Sequence, residues 1–331
     1  MFLHHPLYAT LALSLSVLFS MALPQIINAQ TARIEIYSLE TLTLTDRQFL
    51  LGAKDGKTAR IGAELRLPPG TARVPAVVLI HGSGGVGANV DGWAKELNSM
   101  GVAALVLDTF TGRGITETIS DQSRLSNFSM IVDAYKALEL LSKHSRIDPS
   151  RIAVMGFSKG GFAAMYASMK RFQRLWGPPG LEFAAYIPFY ARCDTPFLED
   201  ENVGDRPIRI FHGTADDYVP VEPTRRYVDR LKRAGKDVQL TVYESARHSF
   251  DNPLNPWILF HPEAILASNC RREEKQPGEI VNLDSGRPFS WDDACVTRGA
   301  NVGYSPQALV EAGKAVKEFL GELWKLNSSS I

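Results

Sequence analysis

A serine that could act as a nucleophile stands at position 158, in the sequence GFSKGG (156–161) that directly follows the apolar run 152–155. A Gly-x-Ser-x-Gly sequence between a strand and a helix is typical of a nucleophile elbow, a turn too tight for side chains two residues before and after the serine. The turn exposes the hydroxyl beside the N-terminus of the next helix, whose dipole favours a developing negative charge. The pattern predicts that Ser158 attacks a carbonyl carbon. The alternative is a glycine-rich turn with a serine helix cap.

A serine hydroxyl is a weak nucleophile unless a base takes its proton, and two downstream segments carry suitable groups. Asp216 lies in HGTADDYVP (212–220), and His248 lies in ESARHSF (244–250), each segment directly following an apolar run. The order Ser, Asp, His along the chain is that of a large class of serine hydrolases. We expect His248 to be the base and Asp216, rather than the adjacent Asp217, to orient it.

The attacked carbonyl oxygen becomes negatively charged and needs two backbone N–H donors. Lys159, the residue after the serine, would supply the first, while its side chain is expected to be a solvated surface charge. The second should come from HGSGG (81–85), which follows the apolar run 76–80, and Ser83 is expected there with Gly84 as the alternative. Four aromatic residues are expected to line the acyl pocket: Phe110, Phe157, Tyr190 and Phe250.

Alternating strands and helices must position these residues. Apolar runs bounded by Gly, Pro or Asp predict parallel strands buried on both faces at 76–80, 102–107, 152–155, 183–187 and 208–211. Helical patterns occur at about 93–100, 129–142, 160–170, 224–234 and 306–326. The segments 34–37 and 61–67 alternate with period two and predict antiparallel edge strands. The sequence therefore predicts an α/β fold with a doubly wound, mostly parallel sheet flanked by helices.

The chain past Gln30 shows no linker or repeat, so residues 30–331 are predicted to form a single α/β domain. An insertion at about 251–304, rich in Pro, Asn and charge, is expected to be mostly irregular. Cys270 and Cys295 both lie in this insertion, which has little core of its own, and we expect them to form a disulfide. Cys193 would then remain an unpaired, buried thiol.

The first 29 residues are predicted to be a signal peptide. The stretch 7–23 is almost wholly apolar, and Ala29 is a small residue suited to a cleavage site. No Lys or Arg precedes Arg33, which leaves an uncleaved N-terminal anchor as the alternative. Either outcome favours export, and we expect a secreted or periplasmic protein with no stable membrane span after cleavage.

Composition excludes several classes of partner. The 331 residues include 36 Lys and Arg against 36 Asp and Glu, with no block of like charges, which argues against a nucleic-acid partner. No Cys-x-x-Cys or His-x-x-x-His spacing indicates a metal site, and no cofactor is expected. The expected partner is a small-molecule ester or lactone. The sequence gives no indication of the oligomeric state.

Between about residues 76 and 250 the chain resembles the dienelactone hydrolase family of the α/β-hydrolase fold. The resemblance rests on HGSGG, GFSKGG, HGTADDYVP and YESARHSF. It implies hydrolysis of esters or lactones without metal or organic cofactor. Dienelactone hydrolase proper has a cysteine where Ser158 stands, an arginine where Asn252 stands, and no insertion like 251–304. The resemblance therefore indicates a secreted, serine-dependent carboxylic ester hydrolase that forms an acyl-enzyme.

Arg113 is a candidate substrate-binding residue. It lies in TFTGRG (109–114), directly after a predicted strand, and the family also places an arginine after this strand. Loops at the carboxyl ends of parallel strands build the sites of such sheets, and an arginine there could bind a substrate carboxylate. The alternative is a surface arginine that pairs with Asp121 or Glu117.

Three other functions compete with this hypothesis. The sequence GSGGVG (82–87) after a strand also fits a dinucleotide-binding loop, but that function leaves the Ser, Asp and His series unexplained. A non-catalytic binding protein on a hydrolase scaffold is the second alternative. The third is a serine peptidase of prolyl-oligopeptidase type, because such peptidases share this order of catalytic residues.

Overall fold

An eight-stranded sheet forms the centre of this computed structural model, which describes residues 1–2 and 33–326. The predicted signal peptide therefore lies outside the described residues, apart from the first two. The strands of the sheet are β1 (Arg33–Thr43), β2 (Lys57–Leu67), β3 (Val74–Ile80), β4 (Ala103–Asp108), β5 (Ile147–Phe157), β6 (Ala185–Phe189), β7 (Ile208–Gly213) and β8 (Val238–Tyr243). Their order is β1-β2-β4-β3-β5-β6-β7-β8. The six strands from β4 to β8 in this order pair in parallel with one another. The other two pairs, β1 with β2 and β2 with β4, are antiparallel.

The buried strands are apolar on both faces because helices cover both faces of the sheet. Successive residues of β3 alternate between two hydrophobic clusters: Val78 and Ile80 contribute to one, and Val77 and Leu79 to the other. By contrast, β1 and the start of β2 alternate exposed and less exposed residues, as expected for strands near an open edge. The predicted doubly wound, mostly parallel α/β sheet is confirmed.

Within residues 33–326, seven α-helices flank the sheet: α1 (Asp46–Leu51), α2 (Ala88–Ser99), α3 (Asn127–Ser142), α4 (Lys159–Tyr166), α5 (Lys170–Trp176), α6 (Val221–Arg233) and α7 (Pro306–Trp324). Apolar residues of α2 and α7 pack on one face, and those of the other five helices pack on the opposite face. Among residues 33–326, no helix combines the length and the apolar character needed to cross a bilayer.

The insertion at 251–304 is more ordered than its composition predicts. It contains a two-stranded antiparallel sheet, β9 (Leu259–Leu266) with β13 (Thr297–Val302). It also contains a three-stranded sheet of β10 (Arg272–Gln276), β11 (Glu279–Asn282) and β12 (Arg287–Pro288). The prediction of a mostly irregular segment missed these strands, which are separated by irregular loops and mix buried with exposed and polar residues. They therefore lack the apolar periodicity by which a strand is found.

Polar contacts fasten the insertion to the main sheet and its helices. The buried carboxylate of Glu274 accepts hydrogen bonds from Arg171 Nη1 at 2.6 Å and Nη2 at 2.8 Å, and from Leu198 N at 3.0 Å. Asp217, in the loop after β7, accepts from Asn301 N at 2.9 Å and Asn301 Nδ2 at 2.6 Å. These contacts hold the insertion beside the carboxyl ends of the parallel strands.

Reduction of the disulfide should destabilise the insertion. Cys270 and Cys295 form the expected disulfide across 25 residues of sequence, and Cys193 is a buried free thiol. Closing a loop of this size stabilises the fold by about 3 kcal/mol in the chain-entropy model. Urea unfolding should therefore show a lower free energy of unfolding in reductant. The Cys270→Ser/Cys295→Ser double variant is the control and should not respond to reductant. Equal unfolding midpoints for oxidised and reduced wild-type protein would contradict the assignment.

Candidate active site

Ser158 occupies a strained turn between the end of β5 and the start of α4. Its backbone angles are φ 54° and ψ −111°, a conformation that residues other than glycine rarely adopt. Strain of this kind costs about 1–3 kcal/mol and persists only where the surrounding structure enforces it. Here the Ser158 N–H donates to Phe189 O at 3.0 Å, which ties the turn to the neighbouring strand β6.

The glycines of the motif are required by close backbone contacts. A Cβ atom on Gly156 would lie 2.0 Å from Gly160 O, and one on Gly160 would lie 2.2 Å from Ile80 O. Real Cβ atoms do not approach a carbonyl oxygen so closely. A Cβ on Gly161 would lie 2.5 Å from Phe189 O. The GFSKGG sequence is therefore explained by the geometry of an elbow packed between two strands.

A chain of hydrogen bonds connects the serine, a histidine and an aspartate from three separate loops. His248 Nε2 lies 2.8 Å from Ser158 Oγ, and His248 Nδ1 lies 2.8 Å from Asp216 Oδ2. Both His248 and Asp216 are buried. With the imidazole proton on Nδ1, that nitrogen donates to the carboxylate, and Nε2 accepts from the serine hydroxyl. The structure thus brings together all three residues that the sequence nominated.

Asp216 is held as a carboxylate by several donors. Its Oδ1 accepts from the N–H groups of Tyr218 at 3.0 Å and Val219 at 2.8 Å, and His212 Nε2 lies 3.4 Å from Oδ2. Burial alone would raise the pKa of Asp216, but the charge of His248 and the hydrogen bonds from both histidines lower the pKa to about 2. The group is therefore ionised at neutral pH and suited to orient an imidazole. Asp217 points instead to the insertion.

Two tyrosine rings lie close to the imidazole. The ring centroids of Tyr190 and Tyr218 lie 4.7 Å and 4.9 Å from that of His248. The Tyr190 hydroxyl donates to the buried carboxylate of Asp251 at 2.6 Å, which fixes the Tyr190 ring. The sequence analysis did not identify Tyr218 as a site residue. Its position two residues after Asp216 could have indicated that it lies near His248.

The glycine-rich loop 81–85 lies directly against the elbow, where the second N–H donor was expected. A Cβ on Gly82 would lie 3.3 Å from Ser158 Cβ. Ser83 O accepts from Thr118 N at 2.8 Å, and Ser83 Oγ accepts from Gln122 Nε2 at 2.9 Å, which fixes the loop. Within residues 33–326, the backbone N–H groups of Ser83 and Lys159 have no hydrogen-bond acceptor. Both donors are therefore available to a substrate oxygen.

Two cavities meet at Ser158. The smaller, about 50 Å³, is lined by residues that include Gln122, Ser158, Lys159, Arg192, Tyr218 and Leu266. The larger, about 170 Å³, is lined by residues that include Asn89, Ser158, Tyr190, His248, Asn252 and His261. Of the four aromatic residues expected in the acyl pocket, Phe157 and Tyr190 line the larger cavity. Phe110 packs against His81, and Phe250 is fully buried among other aromatic rings.

The side chain of Lys159 is not the solvated charge that the sequence predicted. The residue is only 5% exposed, and Nζ donates to Gln122 Oε1 at 3.1 Å. Burial lowers the pKa of Lys159 to about 7. The prediction was wrong because Lys159 faces a cavity that it shares with residues distant in sequence, including Gln122 and, from the insertion, Leu266.

Arg113 does not line either cavity, so the prediction that it binds a substrate carboxylate was wrong. Its side chain is 3% exposed and forms a bidentate pair with Asp133, with Nη1–Oδ2 and Nη2–Oδ1 distances of 2.7 Å and 2.9 Å. Its Nε also donates to Thr43 Oγ1 at 2.8 Å. The guanidinium is turned inward, toward an aspartate on α3, and pairs with neither Asp121 nor Glu117.

Replacing Arg113 should therefore affect stability rather than substrate choice. In Arg113→Met the carboxylate of Asp133 stays fully buried and loses its charged partner, which typically costs about 3–5 kcal/mol. Urea unfolding measures this loss. Arg124→Met, at an arginine whose side chain is 37% exposed, is the matched control and should change stability little. An Arg113→Met protein of wild-type stability, with a higher KM only for carboxylate-bearing esters, would contradict the structural role.

The chain is similar in sequence and fold to known hydrolases. Residues 61–276 match the model of the dienelactone hydrolase family. A probable 2-oxo-3-(5-oxofuran-2-ylidene)propanoate lactonase from a Bradyrhizobium species is 24% identical over 203 residues, which are 57% of this chain and 78% of the relative. Acyl-protein thioesterase 1 from Emericella nidulans is 33% identical over 106 residues, which are 32% of this chain and 44% of the thioesterase. The crystal structure of a putative dienelactone hydrolase from Klebsiella pneumoniae shares the fold, with a TM-score of 0.55 at 14% identity over 87% of this chain and 99% of that one.

Proposed function

Because the chain belongs to the dienelactone hydrolase family, we propose that it cleaves carboxylic esters or lactones through an acyl-enzyme formed on Ser158. The observation that carries this proposal is the hydrogen-bonded line from Ser158 through His248 to Asp216. The lactonase and thioesterase relatives support the reaction class, since both names describe hydrolysis at an acyl carbon.

In the first half-reaction Ser158 Oγ attacks the carbonyl carbon while His248 Nε2 takes the hydroxyl proton. The carbonyl oxygen becomes negatively charged and accepts hydrogen bonds from the N–H groups of Ser83 and Lys159. When the tetrahedral intermediate collapses, the carbon–oxygen bond to the leaving group breaks. His248 gives its proton to that oxygen, and an alcohol leaves. A lactone follows the same steps, but its alcohol stays attached to the acyl group.

In the second half-reaction water replaces the serine hydroxyl. His248 Nε2 takes a proton from the water, whose oxygen attacks the acyl carbon, and the same two N–H groups receive the oxyanion. Collapse returns the proton to Ser158 Oγ and releases the carboxylic acid. Asp216 holds the Nδ1 tautomer throughout and stabilises the imidazolium, while the rings of Tyr190 and Tyr218 restrict its rotation.

The alternatives predict different substrates. A serine peptidase of prolyl-oligopeptidase type should turn over aminoacyl-proline anilides, whereas the proposed esterase should turn over p-nitrophenyl acetate and butyrate and leave the anilides intact. A non-catalytic binding protein should turn over none of them. Steady-state rates on these three substrates with the purified protein decide among the three functions. Anilide turnover that exceeds ester turnover would overturn the proposal.

We propose further that the protein is exported. The disulfide between Cys270 and Cys295 supports this location, because disulfides persist in oxidising compartments. If the leader is cleaved after Ala29, N-terminal sequencing of the protein recovered outside the cytoplasm should begin at Gln30. Recovery of the full-length chain from the cytoplasm with both thiols reduced would reject the proposal.

A further inference from the structure

The smaller cavity beside Ser158 contains a buried amine without a carboxylate partner. Lys159 reaches into it from the first turn of α4, and its Nζ donates only to Gln122, at 3.1 Å from Oε1 and 3.4 Å from the backbone oxygen. No salt bridge joins Lys159 to an aspartate or glutamate in the part of the chain that the structure describes. A buried ammonium ordinarily has an anionic partner.

The guanidinium of Arg192 lines the same cavity and is only partly satisfied. Its Nε donates to the two carboxylate oxygens of Asp194 at 3.0 Å and 2.9 Å. Its Nη2 is buried and has no hydrogen-bond partner within residues 33–326. Asp194 is shared, because Arg272 Nη2 also donates to it at 2.7 Å. One carboxylate thus serves two arginines.

These two cations can be satisfied together by an anion from the substrate. A carboxylate accepts several charge-assisted hydrogen bonds, which are stronger than neutral ones. Burial lowers the pKa of Lys159, the charge of Asp46 raises it, the charge of Arg192 lowers it and that of Asp121 raises it. A carboxylate bound beside Nζ would stabilise the protonated amine and raise that pKa.

The position of His248 shows which part of the substrate enters this cavity, if the proposed reaction is correct. His248 lines the larger cavity and not the smaller one. Because the leaving oxygen must receive its proton from His248 Nε2, the leaving group lies in the larger cavity, and the acyl chain extends into the smaller one. A volume of about 50 Å³ admits only a short chain.

We propose that Lys159 and Arg192 bind a carboxylate at the far end of the acyl chain, so that half-esters of short dicarboxylic acids are preferred substrates. This proposal rests on the proposed ester hydrolysis and names its substrate class. The specificity contacts come from the residue that follows the nucleophile and from the segment after β6.

The test compares monomethyl succinate with methyl 4-oxopentanoate, in which a ketone of similar size replaces the carboxylate. The ratio of kcat/KM for the two esters, measured by proton release, should favour the succinate by about tenfold or more, as expected for hydrogen bonds to charged groups. Lys159→Met and Arg192→Met should each lower this ratio by about tenfold. The ratio of the two kcat/KM values is compared, rather than either value alone, because the Lys159 N–H is also assigned to the oxyanion site. A change at that site would affect both esters and leave the ratio unchanged. Lys143→Met, at a side chain 71% exposed, is the charge-matched control and should leave the ratio unchanged.

The pH dependence of the same ratio gives an independent readout. The kcat/KM value reports the ionisation of the free protein. The preference for the succinate should therefore decrease as the pH rises through about 7, where Lys159 loses its proton. It should not disappear, since Arg192 stays charged.

Failure of this inference is distinguishable from failure of the proposed function. If wild-type protein hydrolyses methyl 4-oxopentanoate but shows no preference for the succinate, or if both variants keep the preference, the anion site is overturned and the hydrolase remains. If neither ester is hydrolysed, calorimetry with the Ser158→Ala protein decides. Binding of monomethyl succinate at least about tenfold tighter than the ketone ester, lost in Ser158→Ala/Arg192→Met, supports the site. Equal binding of the two esters overturns it.

Discussion

Replacement of Ser158 by alanine should lower kcat for p-nitrophenyl butyrate by roughly 10³-fold or more, with the fold intact. The elbow geometry supplies the reason, because Ser158 Oγ is the atom that contacts His248 Nε2, at 2.8 Å. Members of such a triad act as a unit, so His248→Ala should lose a similar factor. The double variant should be little slower than either single one. Steady-state kinetics on the three proteins measure these factors.

The control for this prediction is the integrity of the fold. Alanine and serine tolerate a backbone at φ 54° equally poorly, so the strain is the same in both proteins. The stability of Ser158→Ala should therefore stay near that of the wild type. Circular dichroism and urea unfolding check this point. An active Ser158→Ala protein, or losses that multiply in the double variant, would show that the two residues do not act together.

The second large effect is expected at Asp216. The Asp216→Asn protein should lose roughly 10⁴-fold in kcat, since an amide cannot stabilise the imidazolium and favours the wrong tautomer of His248. The carboxylate accepts from His248 Nδ1 at 2.8 Å, and its low pKa keeps it ionised at the pH of the assay. The adjacent Asp217→Asn protein should lose less than about tenfold, because Asp217 contacts Asn301 rather than the imidazole.

These neighbouring aspartates form a matched pair for the experiment. Both substitutions remove one negative charge and change the side-chain volume by the same amount, so they differ only in what the carboxylate touches. Kinetics and unfolding should be measured on both. A larger catalytic loss for Asp217→Asn than for Asp216→Asn would show that Asp217, and not Asp216, orients His248.

The central sheet and the elbow could be predicted because their sequence signals are local. A parallel strand buried on both faces must be apolar along its whole length, as the run 76–80 is in β3. An elbow must have glycine where a Cβ would strike a backbone oxygen, as at Gly156 and Gly160. The short helix α1 gave a weaker signal, since only the capping pair Thr45 and Gln48 marks its start.

The environments of single charged side chains could not be predicted, because they depend on residues that are distant in sequence. Arg113 is neutralised by Asp133, which the pattern of α3 does not distinguish from a surface acid. Lys159 shares its cavity with residues of the insertion, whose strands the sequence did not reveal. In both cases the predicted backbone position was sound, and the packing around the side chain determined its role.

Mapping the site of a covalent adduct tests the central claim most directly. The wild-type protein should be treated with diisopropyl fluorophosphate and analysed by intact mass and by peptide mapping. The fluoride is displaced by an activated serine hydroxyl, so a single diisopropylphosphoryl group should be found on Ser158. The His248→Ala protein should react far more slowly, because it lacks the base. An adduct on another residue, or an unmodified Ser158 in protein that hydrolyses p-nitrophenyl butyrate, would contradict the assignment of Ser158 as the nucleophile.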